Sequence, residues 1–141
     1  MNFQSHLTGG IIGFFIALAA FRMSNIYIAD VIPLEPSHIL LYFALFVYMS
    51  LFPDVDTDSR IENYTYGAAF VMIIALIYLQ MDRYGAIFGA MLCIPKITTH
   101  RKLMHNPLTG ASLACVVGWF AGADYGVFAL GGFATHLILD L

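Results

Sequence analysis

The sequence predicts an all-α fold: a polytopic transmembrane bundle of about six short helices, forming one integral membrane domain over residues 1–141. Three observations predict it. Of the 141 residues, 60% are hydrophobic and 11% are charged, against about 45–50% and about 25% in a soluble domain. Mean hydropathy is +0.81. The apolar residues fall into six runs, separated by short links that hold most of the charge. So few charges cannot cover a water-soluble protein of this size, which excludes a soluble enzyme, a disordered chain and a nucleic-acid-binding domain. Six Lys+Arg against nine Asp+Glu give a net charge of -3, so no basic face is available to a phosphate backbone and no nucleic-acid partner is expected.

The six runs are Leu7–Phe21, Ile39–Phe52, Tyr64–Met81, the short Tyr84–Ile97, Leu108–Ala121 and Tyr125–Leu141. A bilayer core about 30 Å thick takes roughly 20 apolar residues per helix, fewer where the bilayer thins or flanking residues snorkel. Each boundary has a local cause. Arg22 closes the first run, and Pro33 and Pro36 keep the following segment from continuing as helix. Pro53 ends the second run. Asp82-Arg83 separates the third from the fourth, as in a tight helical hairpin, and Pro95 kinks or shortens the fourth. Asn106-Pro107 reads as an N-cap followed by proline at the first helical position. Gly122-Ala123-Asp124 makes the last hairpin, with Asp124 as its expected N-cap.

Met1–Phe21 lacks the basic n-region of a signal peptide, and its Gly9-Gly10 and Gly13 suit a helix-packing face. Gly9/Gly13, Gly85/Gly89 and Gly118/Gly122 share GxxxG spacing, which we read as close packing within one bundle in preference to dimerisation. Cys93 and Cys115 both lie inside apolar runs and read as small buried hydrophobes, not as a disulfide or a zinc site.

Counting crossings sorts the polar residues. The side of the N-terminus receives His6, then Asp54, Asp56 and Asp58 after the second span, His100 and His105 after the fourth, and His136 and Asp140 toward the end of the sixth. The other side holds Arg22, Asp30, Glu35, His38, Asp82, Arg83 and Asp124, which read as ordinary end charges, with His38 as a cap residue. Ionisable residues in or beside spans are costly and mark function. The first side also carries Arg60, Lys96, Arg101 and Lys102 against Arg22 and Arg83 on the second, which makes it cytoplasmic by the positive-inside rule.

The clusters differ in what their spacing allows. His136 and Asp140, four apart, share one helix face; they can bind one metal, or Asp140 can orient His136. Asp54, Asp56 and Asp58 repel one another unless a cation neutralises them, yet the EF-hand pattern fails, since its glycine and glutamate positions hold Ser59 and Thr65. His100 and His105 stand about 140° apart on a helix, so they meet at one site only if the helix ends between them. Arg101 and Lys102 beside them suit an anionic group such as phosphate. His6, flanked by Ser5 and Thr8, precedes the first span and taken alone reads as a cap or interface residue.

Taken in order, His6 before Gly9-Gly10, Pro53-Asp54-Val55-Asp56 with Ser59, His100-Arg101 with His105, and His136-Leu137-Ile138-Leu139-Asp140 resemble a known family. It is the bacterial membrane-bound metal-dependent hydrolase family, the LexA-regulated inner-membrane hydrolases of YdjM type, grouped by their His and Asp pattern with zinc phospholipases C and zinc nucleases. The resemblance spans nearly the whole chain. It departs where Met104 and Asn106 flank His105, in place of the family's Thr-His-Ser. It implies a multi-pass protein of the bacterial inner membrane that uses a divalent metal, zinc first, to hydrolyse a phosphoester.

On that basis His6, Asp54, His100, His105, His136 and Asp140 are the expected metal ligands. Asp56 is expected as a ligand, an orienting residue or the general base, and Arg101 as the contact to the substrate phosphate. The expected partners are membrane lipids, with a phospholipid or another lipid-linked phosphate as substrate and a homo-oligomer or membrane complex as an open option. The competing expectation is a small non-catalytic membrane subunit whose His/Asp cluster holds a structural metal or a protein partner. A closed coordination sphere favours the subunit and an open position favours the enzyme. A transporter is disfavoured by the lack of an inverted repeat and by polar residues gathered at one face instead of the midplane.

Overall fold

In the computed structural model the described residues are 3–24, 35–56, 60–78, 80, 85, 86, 89, 93 and 104–141. Nearly all are helical, with no strand among them. Five α-helices are α1 (Phe3–Met23), α2 (Pro36–Leu51), α3 (Arg60–Tyr78), α4 (Pro107–Ala121) and α5 (Ala123–Leu139), with a 3-10 helix at Phe52–Asp56 after α2. Five of the six expected spans thus correspond to helices, with ends displaced by a few residues. Of the fourth, Gly85, Ala86, Gly89 and Cys93 are helical, and the rest lies outside the described residues.

Two helical segments are long and apolar enough to cross a bilayer, Gln4–Met23 and Pro36–Asp54, with hydropathies of 1.5 and 1.4. α4 and α5 are apolar but shorter, at 15 and 17 residues. The chain divides into two compact units. The first is Met1–Pro53 with His105–Leu141, and the second is Asp54–Met104.

In the first unit α5 packs against α1, α2 and α4, and α1 packs against α2. Small residues make these approaches, letting the helix backbones come close. A Cβ on Gly132 of α5 would overlap the carbonyl oxygen of Phe46 in α2, and one on Gly10 of α1 would overlap Ser50 Oγ. Gly9 and Gly13 face Leu139 and Thr135 of α5, so that GxxxG pair packs within the bundle. The core is aromatic: Phe14, Tyr42, Phe46 and Phe128 are buried together, and Tyr42 stacks on Phe128 with ring centroids 4.4 Å apart.

Helix ends follow the local chemistry in part. Asn106 caps α4, its side-chain oxygen accepting from Leu108 N–H at 2.9 Å, with Pro107 first in the helix. Pro36 likewise opens α2, after Glu35. The expected N-cap role of Asp124 is not observed. Gly122 precedes α5 instead, with φ at +128°, in a region closed to most side chains. This frees Asp124 to accept a hydrogen bond from Tyr42 Oη. His38 is not a cap either; it lies inside α2 and its Nδ1 is 3.1 Å from Tyr125 Oη. These two end residues therefore tie α2 to the start of α5. Removing one partner strands the other, so Tyr42→Phe is expected to cost about 1–3 kcal/mol, read as a lowered unfolding midpoint in detergent; an unchanged midpoint would show the Tyr42–Asp124 bond to be idle.

The cysteine expectation is also corrected. Cys93 and Cys115 are free but exposed, not buried. An apolar helix that packs on one face leaves part of its apolar surface outward, and these two thiols lie on such surface. In the second unit Thr65 and Ala69, one turn apart on α3, are buried, while Phe70, Val71, Ile74, Ile77 and Tyr78 are exposed.

Candidate metal centre

The helices of the first unit alternate in direction, so one end gathers the start of α1, the end of α2, the start of α4 and the end of α5. His6, His105, His136 and Asp140 meet there. Asp140 is the C-cap of α5, and its backbone N–H donates to the His136 carbonyl at 3.2 Å. That turn carries its carboxylate over the His136 ring, and Oδ2 stands 3.2 Å from His136 Nε2. His105, held beside the Asn106 cap, brings its Nε2 to 3.1 Å from the same oxygen. The two Nε2 atoms are 3.2 Å apart. His6, in the first turns of α1, places Nε2 3.2 Å from the other carboxylate oxygen, Oδ1.

The three atoms His105 Nε2, His136 Nε2 and Asp140 Oδ2 thus form a nearly equilateral triangle. Four donors bound to zinc at about 2.0–2.1 Å in a tetrahedron lie about 3.3 Å from one another. The observed edges match one face of that tetrahedron, so this group could hold a metal ion. Ring orientation agrees, since the His105 and His136 planes cross at 62° and their in-plane lone pairs can converge on one point.

Protonation also agrees. His136 Nδ1 is 2.8 Å from the Ser50 carbonyl oxygen. A carbonyl can only accept, so Nδ1 carries a proton and Nε2 is the nitrogen left to face the site, where it could bind a metal. Metal-ligating histidines are held by their second nitrogen in this way. Ser50 is itself completely buried, and its hydroxyl donates to the Val47 carbonyl at 2.7 Å, with the His6 carbonyl 3.4 Å away.

Sequence reasoning does not find Ser50. Its contribution is a backbone oxygen, which no residue type announces. The available signal is a small polar residue in an apolar run, three residues before Pro53.

Burial grades across the cluster. The His6 and His136 side chains are 1% and 0% exposed, while His105 and Asp140 retain 24% and 23%. The His6 and His136 side of the cluster is buried, and the His105 and Asp140 side is partly exposed.

Of the remaining expected site residues, Asp54 is half-buried on the 3-10 helix immediately after the buried Pro53, and Asp56 closes that helix. His100 and Arg101 lie outside the described residues, as do Asp58 and Lys102. His38 stands at the opposite end of α2 from Ser50. No protein-family model, curated protein or solved structure matches this chain.

Proposed function

We propose that the chain is a multi-pass metal-dependent hydrolase of the bacterial inner membrane, acting on a phosphoester at the bilayer surface such as a phospholipid or lipid-linked phosphate. The observation that supports this reading is the three-donor triangle of His105, His136 and Asp140, of which His105 and Asp140 stay partly exposed. Three protein donors with a fourth position left to water or substrate is the catalytic arrangement of zinc, whereas structural sites are closed. A mixed imidazole and carboxylate set favours zinc over the purely oxygen-seeking ions. A metal held there supplies a Lewis acid and an acidified water.

The membrane setting is supported by the outer surface of the first unit, where Ile12, Phe15, Ile16, Leu40 and Leu41 are exposed. Trp119, near the end of α4, is 85% exposed, as tryptophan is at a membrane–water boundary. The end of α2 and the start of α4 lie at the same end of this unit, so the chain between them returns to the side it left. That parity suits two further crossings and six in all. A cluster at the helix ends then lies at headgroup depth, and Arg101 remains our candidate for the substrate phosphate.

The test is hydrolysis of phospholipid in mixed micelles, with and without chelator, alongside a water-soluble phosphodiester. We expect chelator-sensitive turnover, restored by zinc, with the micellar lipid preferred. Metal-loaded protein that cleaves neither substrate would remove the hydrolase reading. Topology is tested separately. Single cysteines at Ser59 and Ala123, in a chain with Cys93 and Cys115 replaced by serine, are expected to label from opposite membrane faces. Labelling of both from one face would refute the six-span arrangement.

A further inference from the structure

We infer that Pro53 is a positioning residue for the metal centre: it brings no N–H to the end of α2, and so leaves the Ser50 carbonyl to His136. This rests on the reading that His105, His136 and Asp140 hold an ion.

A backbone carbonyl inside a helix is normally claimed by an N–H of the same helix. The Ser50 carbonyl serves His136 Nδ1, 2.8 Å away, and the residue three positions on explains why it is available. In a continuous α-helix this carbonyl would accept from residue 54. A proline at position 53 opposes that path, because its ring clashes with the carbonyl four residues back, that of Met49. Accordingly α2 ends at Leu51 and the chain tightens to a 3-10 helix from Phe52. There the pairing runs three residues back, so the donor due to Ser50 is the N–H of residue 53. Proline has none. One residue thus diverts the helix and withholds the donor that the diverted helix would supply.

Burial makes the missing donor matter. Ser50 is 0% exposed and the Pro53 side chain is fully buried, so the carbonyl needs a donor from within the protein. The buried His136 ring provides it. With a proton fixed on Nδ1, Nε2 faces His105 Nε2 and Asp140 Oδ2, each 3.2 Å away. A ligating imidazole is oriented through its second nitrogen, and loss of that outer partner costs about 10–100-fold in metal affinity. The competing role for Pro53 is helix termination alone, in which its ring ends α2 and fills space with no bearing on the Ser50 carbonyl.

The experiment separates the missing N–H from the ring, in the full-length protein in detergent. Pro53→Ala restores an N–H at position 53. Lactate introduced at the same position gives the alanine side chain with an ester oxygen where the N–H would be. Zinc affinity is measured by chelator competition, and melting in chelator reports the fold. The His136 Nδ1–H proton resonance, in protein carrying isotope-labelled histidine, reports the bond to Ser50. A carbonyl has two lone pairs, so a new N–H shares it and weakens the His136 bond without abolishing it. We expect Pro53→Ala to lower zinc affinity about 10-fold, the low end of that range, with the Nδ1–H resonance moved upfield and exchanging faster with water. The lactate protein should keep the wild-type affinity and resonance. Wild-type affinity and resonance in Pro53→Ala would overturn the proposal. Equal losses in Pro53→Ala and the lactate protein would overturn it as well, by assigning the effect to the ring. Should Pro53→Ala not fold, the lactate protein decides: wild-type affinity upholds the missing donor, and lost affinity assigns the role to the ring. A wild type that binds no zinc would remove the metal reading instead. The Nδ1–H resonance of the metal-free forms then decides, since movement in Pro53→Ala alone upholds the role of Pro53 and an unmoved resonance overturns it.

Discussion

His136→Ala is expected to abolish stable metal uptake, lowering affinity by at least about 100-fold, since even loss of an outer partner costs 10–100-fold. The substitution removes a donor shared by two edges of the triangle, His136 Nε2 to His105 Nε2 and to Asp140 Oδ2, each 3.2 Å. It also strands the Ser50 carbonyl, whose partner is His136 Nδ1. Chelator-stripped protein, reloaded with zinc and desalted, should hold no metal, and zinc should no longer raise its melting temperature. His38→Ala is the control, because its ring bonds Tyr125 at the other end of the bundle; metal content should be unchanged. Equal metal content in the two variants would show that the gathering of histidines at one end has no bearing on metal.

Gly132→Ala is expected to have the largest effect on folding, about 3 kcal/mol or more. The added Cβ would overlap the Phe46 carbonyl oxygen and lie 3.0 Å from Met49 Cβ. Backbone cannot swing aside as a side chain does, so α5 must retreat from α2, and overpacking of this kind costs typically 1–3 kcal/mol and occasionally more. The same retreat would pull His136 away from Ser50, one turn further along both helices, so metal affinity should fall with stability. Gly67→Ala on α3 is the matching control. A Cβ there meets nothing within 4 Å, and replacing glycine inside a helix should gain about 0.5–1 kcal/mol. Denaturant or thermal midpoints in detergent separate the two; similar midpoints for both variants would contradict the α2–α5 contact.

Much of the candidate site is legible in the amino-acid sequence. The i,i+4 spacing of His136 and Asp140 fixes them on one helix face whatever surrounds them, and Asn106-Pro107 announces a helix start through purely local chemistry. The meeting of His6 and His105 with that pair follows from counting crossings, a rule about sides that does not need helix rotation. Features that depend on rotation are not legible. The bonds of Tyr42 to Asp124 and of His38 to Tyr125 depend on which faces α2 and α5 present to each other, and residues that read as end charges join those helices. The exposure of the cysteines escapes for the same reason, because an apolar run does not say which of its faces looks inward. Ser50 acts through its carbonyl, and His6 stacks its ring on that of His136.

The pairing of His6 with Asp140 has a consequence in time. His6 lies on α1 and Asp140 caps α5, so the pair cannot form until α5 has been made. α1 and α2 can enter the membrane, and Gly10 can dock on Ser50, while α5 is still unmade. Until α5 arrives, His6 waits without its carboxylate and the Ser50 carbonyl without its imidazole. A metal bound at this cluster would therefore load only after α5 is made. An ion joining α1 to α5 would close the long loop between them, and such a clasp restricts the unfolded ensemble as a long-range cross-link does. Loss of such an ion should then loosen the meeting point of α1, α4 and α5 first.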